Sequence, residues 1–280
     1  MNYKLLLIIP IILLLSSAGI LVHKYLTTGE WFERSVELTG GDLLTVSLKT
    51  PVNLEQIEKD LSPLGDFSFR QSSGFSGYTL FIETKELEED KVLEKLNSLG
   101  ISTESYAIRE IGASLGSSFW SQVQIGIIAA IILIGIVLFI LFRAIVPAVA
   151  STITAAADIL ITLAVMQVLH IELSLASFAA LLMLLGYSVD SDVLLTSRIL
   201  KGEAEEETKK RAKSGFVTGI TMTLTTIVVV AVLYISQISI VLSEIAAVLL
   251  IGLIVDIVMT WAQDMPLVRW YTEKKESIHA

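Results

Sequence analysis

The apolar positions of this chain gather into six long runs, with one polar, alternating stretch between the first and the second. A membrane-crossing helix needs about 20 mostly apolar residues. The runs that meet this are Lys4–Val22, Trp120–Phe142, Val146–Leu169, Leu173–Ile199, Phe216–Ile235 and Ile240–Met265. The first has a lysine near its start and Ser16, Ser17 and Ala18 near its end, as a secretory signal does. It is longer than a signal core and carries Pro10, so it reads as a retained anchor helix.

The stretch between runs one and two predicts a small α/β domain. Leu43–Leu48 alternates like a strand, and Leu54, Ile57 and Leu61 fall at helical spacing. Phe67–Arg70 and Tyr78–Ile82 read as a hairpin across the Ser72–Gly77 turn. Leu87, Val92, Leu93 and Leu96 mark a second helix that Gly100 caps, and Ser102–Ile108 alternates once more. The order β-α-β-β-α-β is the ferredoxin-like split unit, a fold shared by many functions. The predicted class is thus an α-helical membrane protein of six transmembrane helices, with a small α+β ferredoxin-like domain between helices one and two. The expected division is residues 1–22, first helix; 23–119, extracytoplasmic domain; 120–269, five-helix region; and 270–280, cytoplasmic tail.

Composition supports that reading. Hydrophobic residues are 53% and charged residues 18%, with mean hydropathy +0.72, against about a quarter charged in soluble domains. A soluble core cannot absorb that excess, so apolar side chains must face lipid. The absence of cysteine removes disulfides, thiolate metal sites and a cysteine nucleophile, and the net charge of −9 offers no basic face to nucleic acid. Charge also sets orientation. With the N-terminus inside, Lys4, Arg143, Arg198, Lys201, Lys209, Lys210, Arg211, Lys213, Arg269, Lys274 and Lys275 all fall on the cytoplasmic side. The expected location is the cytoplasmic membrane, multi-pass, with both termini cytoplasmic.

Ionisable residues within spans are costly, roughly 2.5–3.5 kcal/mol for a central Asp, and are functional candidates by default. Asp158 lies mid-way in the third span, Asp190 and Asp192 in the cytoplasmic half of the fourth, and Asp256 in the sixth, where Glu244 sits near the outer end. No Lys or Arg lies mid-span, so each carboxyl needs a proton or a partner chain. Asp190 leads these candidates, because Gly186 lies one turn earlier on the same face and permits close helix approach. Asp192 lies about 200° round the helix from Asp190 and reads as the structural or snorkelling member. Asp158 ranks with Asp190, and Asp256 and Glu244 lower, Glu244 as an interfacial residue. The fifth span offers a row of threonines for interhelical hydrogen bonds, and Gly219 for close approach.

Three local signatures resemble one family. Gly40-Gly41-Asp42 stands before the first strand, Ala157-Asp158-Ile159 lies in the third span, and Gly186-Tyr187-Ser188-Val189-Asp190-Ser191-Asp192 with Arg198-Ile199 lies in the fourth. In this order the chain resembles the SecF subunits of the SecD/SecF protein-export complex, of the RND superfamily, over nearly its whole length. The resemblance implies a SecD-like partner, assistance to the Sec translocon in moving exported polypeptides outward, and a link to proton flow through fourth-span aspartates. Two departures are visible. Asp190-Ser191 stands where bacterial SecF has Asn-Asp, and Thr218 stands about where the bacterial fifth span carries an arginine. The chain is closer to the archaeal branch.

Two other readings compete. An RND-type transporter half for small molecules or lipids shares the fourth-span acids, but the small outer domain argues against it. An intramembrane aspartyl protease using Asp158 and Asp190 would need Gly-x-Gly-Asp before the acid, which Gly186-Tyr-Ser-Val-Asp lacks. His23, His170 and His279 are scattered, and no phosphate loop or Ser/His/Asp set stands out. No metal, no cofactor and no enzymatic activity are expected.

Overall fold

The computed structural model describes residues 6–74, 77–103, 105–201 and 208–279. Lys4 and the tip of the Ser72–Gly77 turn, residues 75–76, lie outside them. Among the described residues six helices are long and apolar enough to cross a membrane: α1 (Ile8–Thr28), α5 (Ala113–Phe142), α6 (Ile145–Val168), α7 (Leu175–Lys201), α8 (Thr208–Ser236) and α9 (Ile240–Met259). The last continues through a π-helical turn, Thr260–Asp264, into α10 (Met265–His279). Several helices outrun the apolar stretches that mark them. Hydropathy reports the lipid-facing length, whereas backbone hydrogen bonding continues into water; α5 therefore starts at Ala113 rather than Trp120.

Between α1 and α5 the chain runs α2 (Val36–Thr39), β1 (Gly41–Leu48), α3 (Leu54–Leu61), β2 (Phe67–Gly74), β3 (Gly77–Thr84), α4 (Glu89–Ser98) and β4 (Tyr106–Ile111). The antiparallel sheet has the order β2-β3-β1-β4, the ferredoxin-like arrangement. Alternation on β1 sends Leu44, Val46 and Leu48 inward with Leu80 and Ile82 of β3, against Ile57 and Leu61 of α3 and Val92 and Leu96 of α4. Asn53 caps α3 by accepting from the Gln56 N–H. Gly100 follows α4 with φ +78°, as its place after the helix predicts. The last strand sits later than its alternation implied. Register against β1 pairs Gly41 with Ile111 and Val46 with Tyr106, so sheet pairing, not local pattern, sets its start.

Gly40 and Gly41 make a close crossing at the root of this domain. A Cβ on Gly41 would lie 2.4 Å from the Thr84 carbonyl oxygen, and one on Gly116 of α5 would lie 2.4 Å from the Gly40 nitrogen. The chain thus passes backbone-to-backbone where the domain meets α5. Gly116→Ala should cost about 1–3 kcal/mol through overpacking, seen as a lower thermal unfolding midpoint of the purified protein; an unchanged midpoint would mean the crossing relaxes freely.

The bundle core lies among α6, α7 and α9, where Ile159, Leu163, Met166, Leu181, Leu184, Leu185, Leu249 and Leu253 interlock. The helices α1, α5 and α8 flank it with largely exposed apolar surfaces.

Candidate functional site

Three central helices carry acids into this apolar core. Asp158 on α6 and Asp192 on α7 are fully buried, as are Asp256 at the end of α9 and Asp264 in the π-helical turn. The turn has a local cause. Pro266 has no N–H and its ring crowds the carbonyl four residues back, so the ladder widens and the Met265 N–H bonds to the Thr260 carbonyl. That extra residue turns Thr260, Gln263 and Asp264 all into the protein.

Hydroxyls hold the carboxyls. Ser188 donates to Asp158 Oδ2 at 2.6 Å, and Ser151 and Thr196 donate to Asp264 at 3.2 and 3.4 Å. Thr260 Oγ1 lies 3.2 Å from both Asp192 Oδ1 and Asp256 Oδ1, and Gln263 donates to Thr154. A hydroxyl has a single hydrogen, so Thr260 either shares it between the two carboxyls or accepts from one of them if that one carries a proton. Asp158 Oδ1, Asp192 Oδ2 and Thr162 Oγ1 are buried with no partner. Among the described residues no Lys or Arg pairs with any of the four acids. Eight residues separate Asp256 from Asp264, about 12 Å along a helix, so the network runs as a ladder along the bundle.

Placement of the predicted residues is mixed. Asp158, Asp192 and Asp256 come together. Asp190 and Asp192 do point apart, as their spacing requires, but the inward one is Asp192. Asp190 is exposed on the outer face of α7, as are Tyr187 and Gly186, where an added Cβ would meet nothing within 4 Å. Arg198 donates to Ser214 at 2.5 Å and joins α7 to α8. Four threonines of α8 bond within their own helix: Thr218, Thr221, Thr223 and Thr226 each donate to the carbonyl four residues back. Gly219 serves as the seat of the Trp261 ring. Sequence reasoning misses Asp264, although an acid near the end of the sixth apolar run is a visible signal.

A second polar cluster fastens the outer domain to the bundle. Arg70 of β2 donates to Glu83 of β3 and lies 3.8 Å from Glu172 in the α6–α7 turn. Glu83 also accepts from the Val36 N–H at 3.0 Å, Ser68 donates to Glu172 at 2.8 Å, and Ser174 donates to Glu244. The Leu175 N–H donates to Glu37, and the Glu33 N–H to Gln167. Burial pushes the Glu172 carboxyl above its ordinary range and the Glu83 charge adds to this, against Arg70 and Ser68. Burial works against the Arg70 charge, but Glu83, Glu172 and Glu244 outweigh it and raise its proton affinity. Glu244 is therefore a member of this junction rather than a free interfacial acid. The segments joining the outer domain to the spans are held in place: α1 runs to Thr28, α5 starts at Ala113, and Lys24 pairs with Glu33 at 2.5 Å.

The family described as protein export membrane protein SecD/SecF, C-terminal, matches residues 91–274. The chain belongs to the SecD/SecF family. The protein-export membrane protein SecF of Methanolacinia petrolearia is 36% identical over 95% of this chain and 93% of its own length. The SecF of Methanocaldococcus jannaschii is 34% identical over 96% of each. The crystal structure of SecDF from Thermus thermophilus, described as a translocon-associated membrane protein, superposes with a TM-score of 0.77 at 19% identity. It covers 98% of this chain, while this chain spans 38% of that one. SecDF in a super-membrane-facing form gives a TM-score of 0.60 at 20% identity. The solved structures thus share the fold of this SecD/SecF family member, and the chain is a multi-pass membrane protein.

Proposed function

We propose that this chain is the SecF-type subunit of an accessory complex that assists protein export across the cell membrane. The observation that carries this reading is the similarity, along 95% of the chain, to a protein named protein-export membrane protein SecF. The loop charges favour cytoplasmic termini and an outer domain on the far side. A SecD-like chain is the partner, and the Sec translocon and exported polypeptides are the clients. Two surfaces suit that partner. The strand β4 stands at the sheet edge with Tyr106–Glu110 exposed, and a bare edge invites a strand from another chain. Asp190, with Gly186 and Tyr187, occupies the exposed face of α7 and is assigned to contact with the partner's helices. Domain bounds of 1–22, 23–119, 120–269 and 270–280 remain the working division.

The buried acids are assigned the coupling role. Asp158, Asp192, Asp256 and Asp264 are linked by hydroxyl hydrogen bonds between helices, so binding or release of one proton there would change which helices they tie together. A gain or loss of charge among α6, α7 and α9 then biases the bundle, and the Glu172–Arg70 junction passes the movement to the outer domain as one body.

A tagged chain expressed in its native host and solubilised in mild detergent should bring down a similar six-span protein with a larger outer domain, in about one-to-one ratio. Recovery only as a monomer or homo-oligomer would count against the reading, as would unaltered export in cells lacking the chain.

A further inference from the structure

Between α5 and α6 lies a groove of about 430 Å³ that opens sideways. Its walls are Ile132, Gly135 and Phe139 on one side and Val149, Thr152 and Ile153 on the other. The concavity has a simple origin: Gly135 brings no side chain, so its backbone lies close to Thr152, whose hydroxyl would be 3.3 Å from a Cβ there. Ile132, Phe139, Val149 and Ile153 are each half exposed or more, so the groove lies on the outer surface of the bundle and not in its core.

At its end the two helices turn through Arg143 and Ala144. Arg143 adopts a left-handed backbone, φ +52°, and its N–H donates to the carbonyl of the groove residue Phe139 at 2.9 Å. The Ala144 carbonyl accepts from the N–H of Ala148, another groove residue, at 3.4 Å. Arg143 is exposed, and nothing among the described residues pairs with its guanidinium. It is the only basic residue from Ala113 to Val168, and the only acid there, Asp158, is fully buried in the network on the inner side. An exposed arginine with no partner among the described residues therefore stands one helical turn beyond Phe139, at the end of an open apolar groove.

We infer that this groove and Arg143 form a binding site for one anionic membrane phospholipid, an acyl chain lying along Gly135 and Ile153 and the phosphate on Arg143. The charge requires an anion, the guanidinium fork matches phosphate oxygens, and the channel above it accepts only hydrocarbon.

The test uses the full chain in neutral detergent, with dioleoyl-phosphatidylglycerol or dioleoyl-phosphatidylcholine added at equal concentration and retained lipid counted by native mass spectrometry. The wild type should retain one phosphatidylglycerol about fivefold better than phosphatidylcholine, the factor about one kcal/mol per surface basic residue provides. Arg143→Gln should erase that preference, and Ile153→Trp, which fills the groove, should reduce retention of both lipids. Equal retention of the two lipids by the wild type, or an unchanged preference in Arg143→Gln, reduces the contact to ordinary annular lipid and overturns the site. Dimeric or partner-bound masses that Ile153→Trp dissolves, with lipid retention unchanged, also overturn it by giving the groove to a helix. Should Ile153→Trp fail to accumulate in folded form, Val149→Trp fills the same channel from the adjoining turn.

Discussion

Replacing Asp192 by asparagine is expected to abolish export assistance, by tenfold or more, while insertion and assembly with the partner stay normal. The side chain is fully buried, takes a hydrogen bond from Thr260 on one oxygen and leaves the other unpartnered. Asparagine keeps the volume and the acceptor. It removes the acid's ability to exchange a proton with Asp256 across Thr260. A structural role would tolerate this change, since an amide satisfies the same hydroxyl. A coupling role does not. Asp264→Asn should behave alike, whereas Asp190→Asn, on the exposed face of α7, should weaken recovery of the partner more than the proton-linked step. The measurements are export rate in a strain carrying each variant, with partner recovery as the assembly control. Wild-type export from a fully assembled Asp192→Asn variant would make the carboxyl structural and end the proton-linked account.

The second large effect concerns Arg70. Its guanidinium serves Glu83, only 5% exposed, and Glu172. Removing it by Arg70→Met leaves two carboxylates without a cation between the sheet and the α6–α7 turn. A fully buried pair broken this way loses about 3–5 kcal/mol; with Arg70 itself a third exposed, about 2–3 kcal/mol is expected. The loss should depend on pH with a definite sign. Glu172 already holds its proton more tightly than in the unfolded chain, so its contribution is fully present below the ordinary glutamate range and is lost as pH rises through its folded value. Without Arg70 that penalty grows. The Arg70→Met variant should therefore be hurt most near neutrality and recover in acid, and Arg70→Met combined with Glu172→Gln should regain part of the stability. Protease cleavage of the outer domain, followed across pH, reads this directly. A loss that does not change with pH would mean that lost packing of the arginine stem, not charge, is the cause.

These two predictions also mark what was readable in the chain. Six spans, the order of the small domain's strands and helices, and the need for something unusual at Asp158, Asp190, Asp192 and Asp256 all follow from local facts: run length, alternation and the cost of an acid in hydrocarbon. Asp264 was within reach by the same logic.

Which acid of the fourth span faces inward was not readable. Spacing states that Asp190 and Asp192 oppose each other, and a helix has no internal mark for inside; only packing of α7 on α6 and α9 turned Asp192 to the core. The same holds for Thr218, Thr221, Thr223 and Thr226 of α8, whose hydroxyls satisfy their own helix. It holds for Glu83, Glu172 and Glu244 as well. These acids lie far apart in the chain, on β3, a turn and α9, and only the docking of sheet on bundle gathers them around Arg70. Periodicity along one helix or strand is a property of neighbours in sequence, so the elements and their chemistry are encoded locally. Rotation of each helix and the pairing of distant charges depend on contacts between elements, which exist only once the chain has folded.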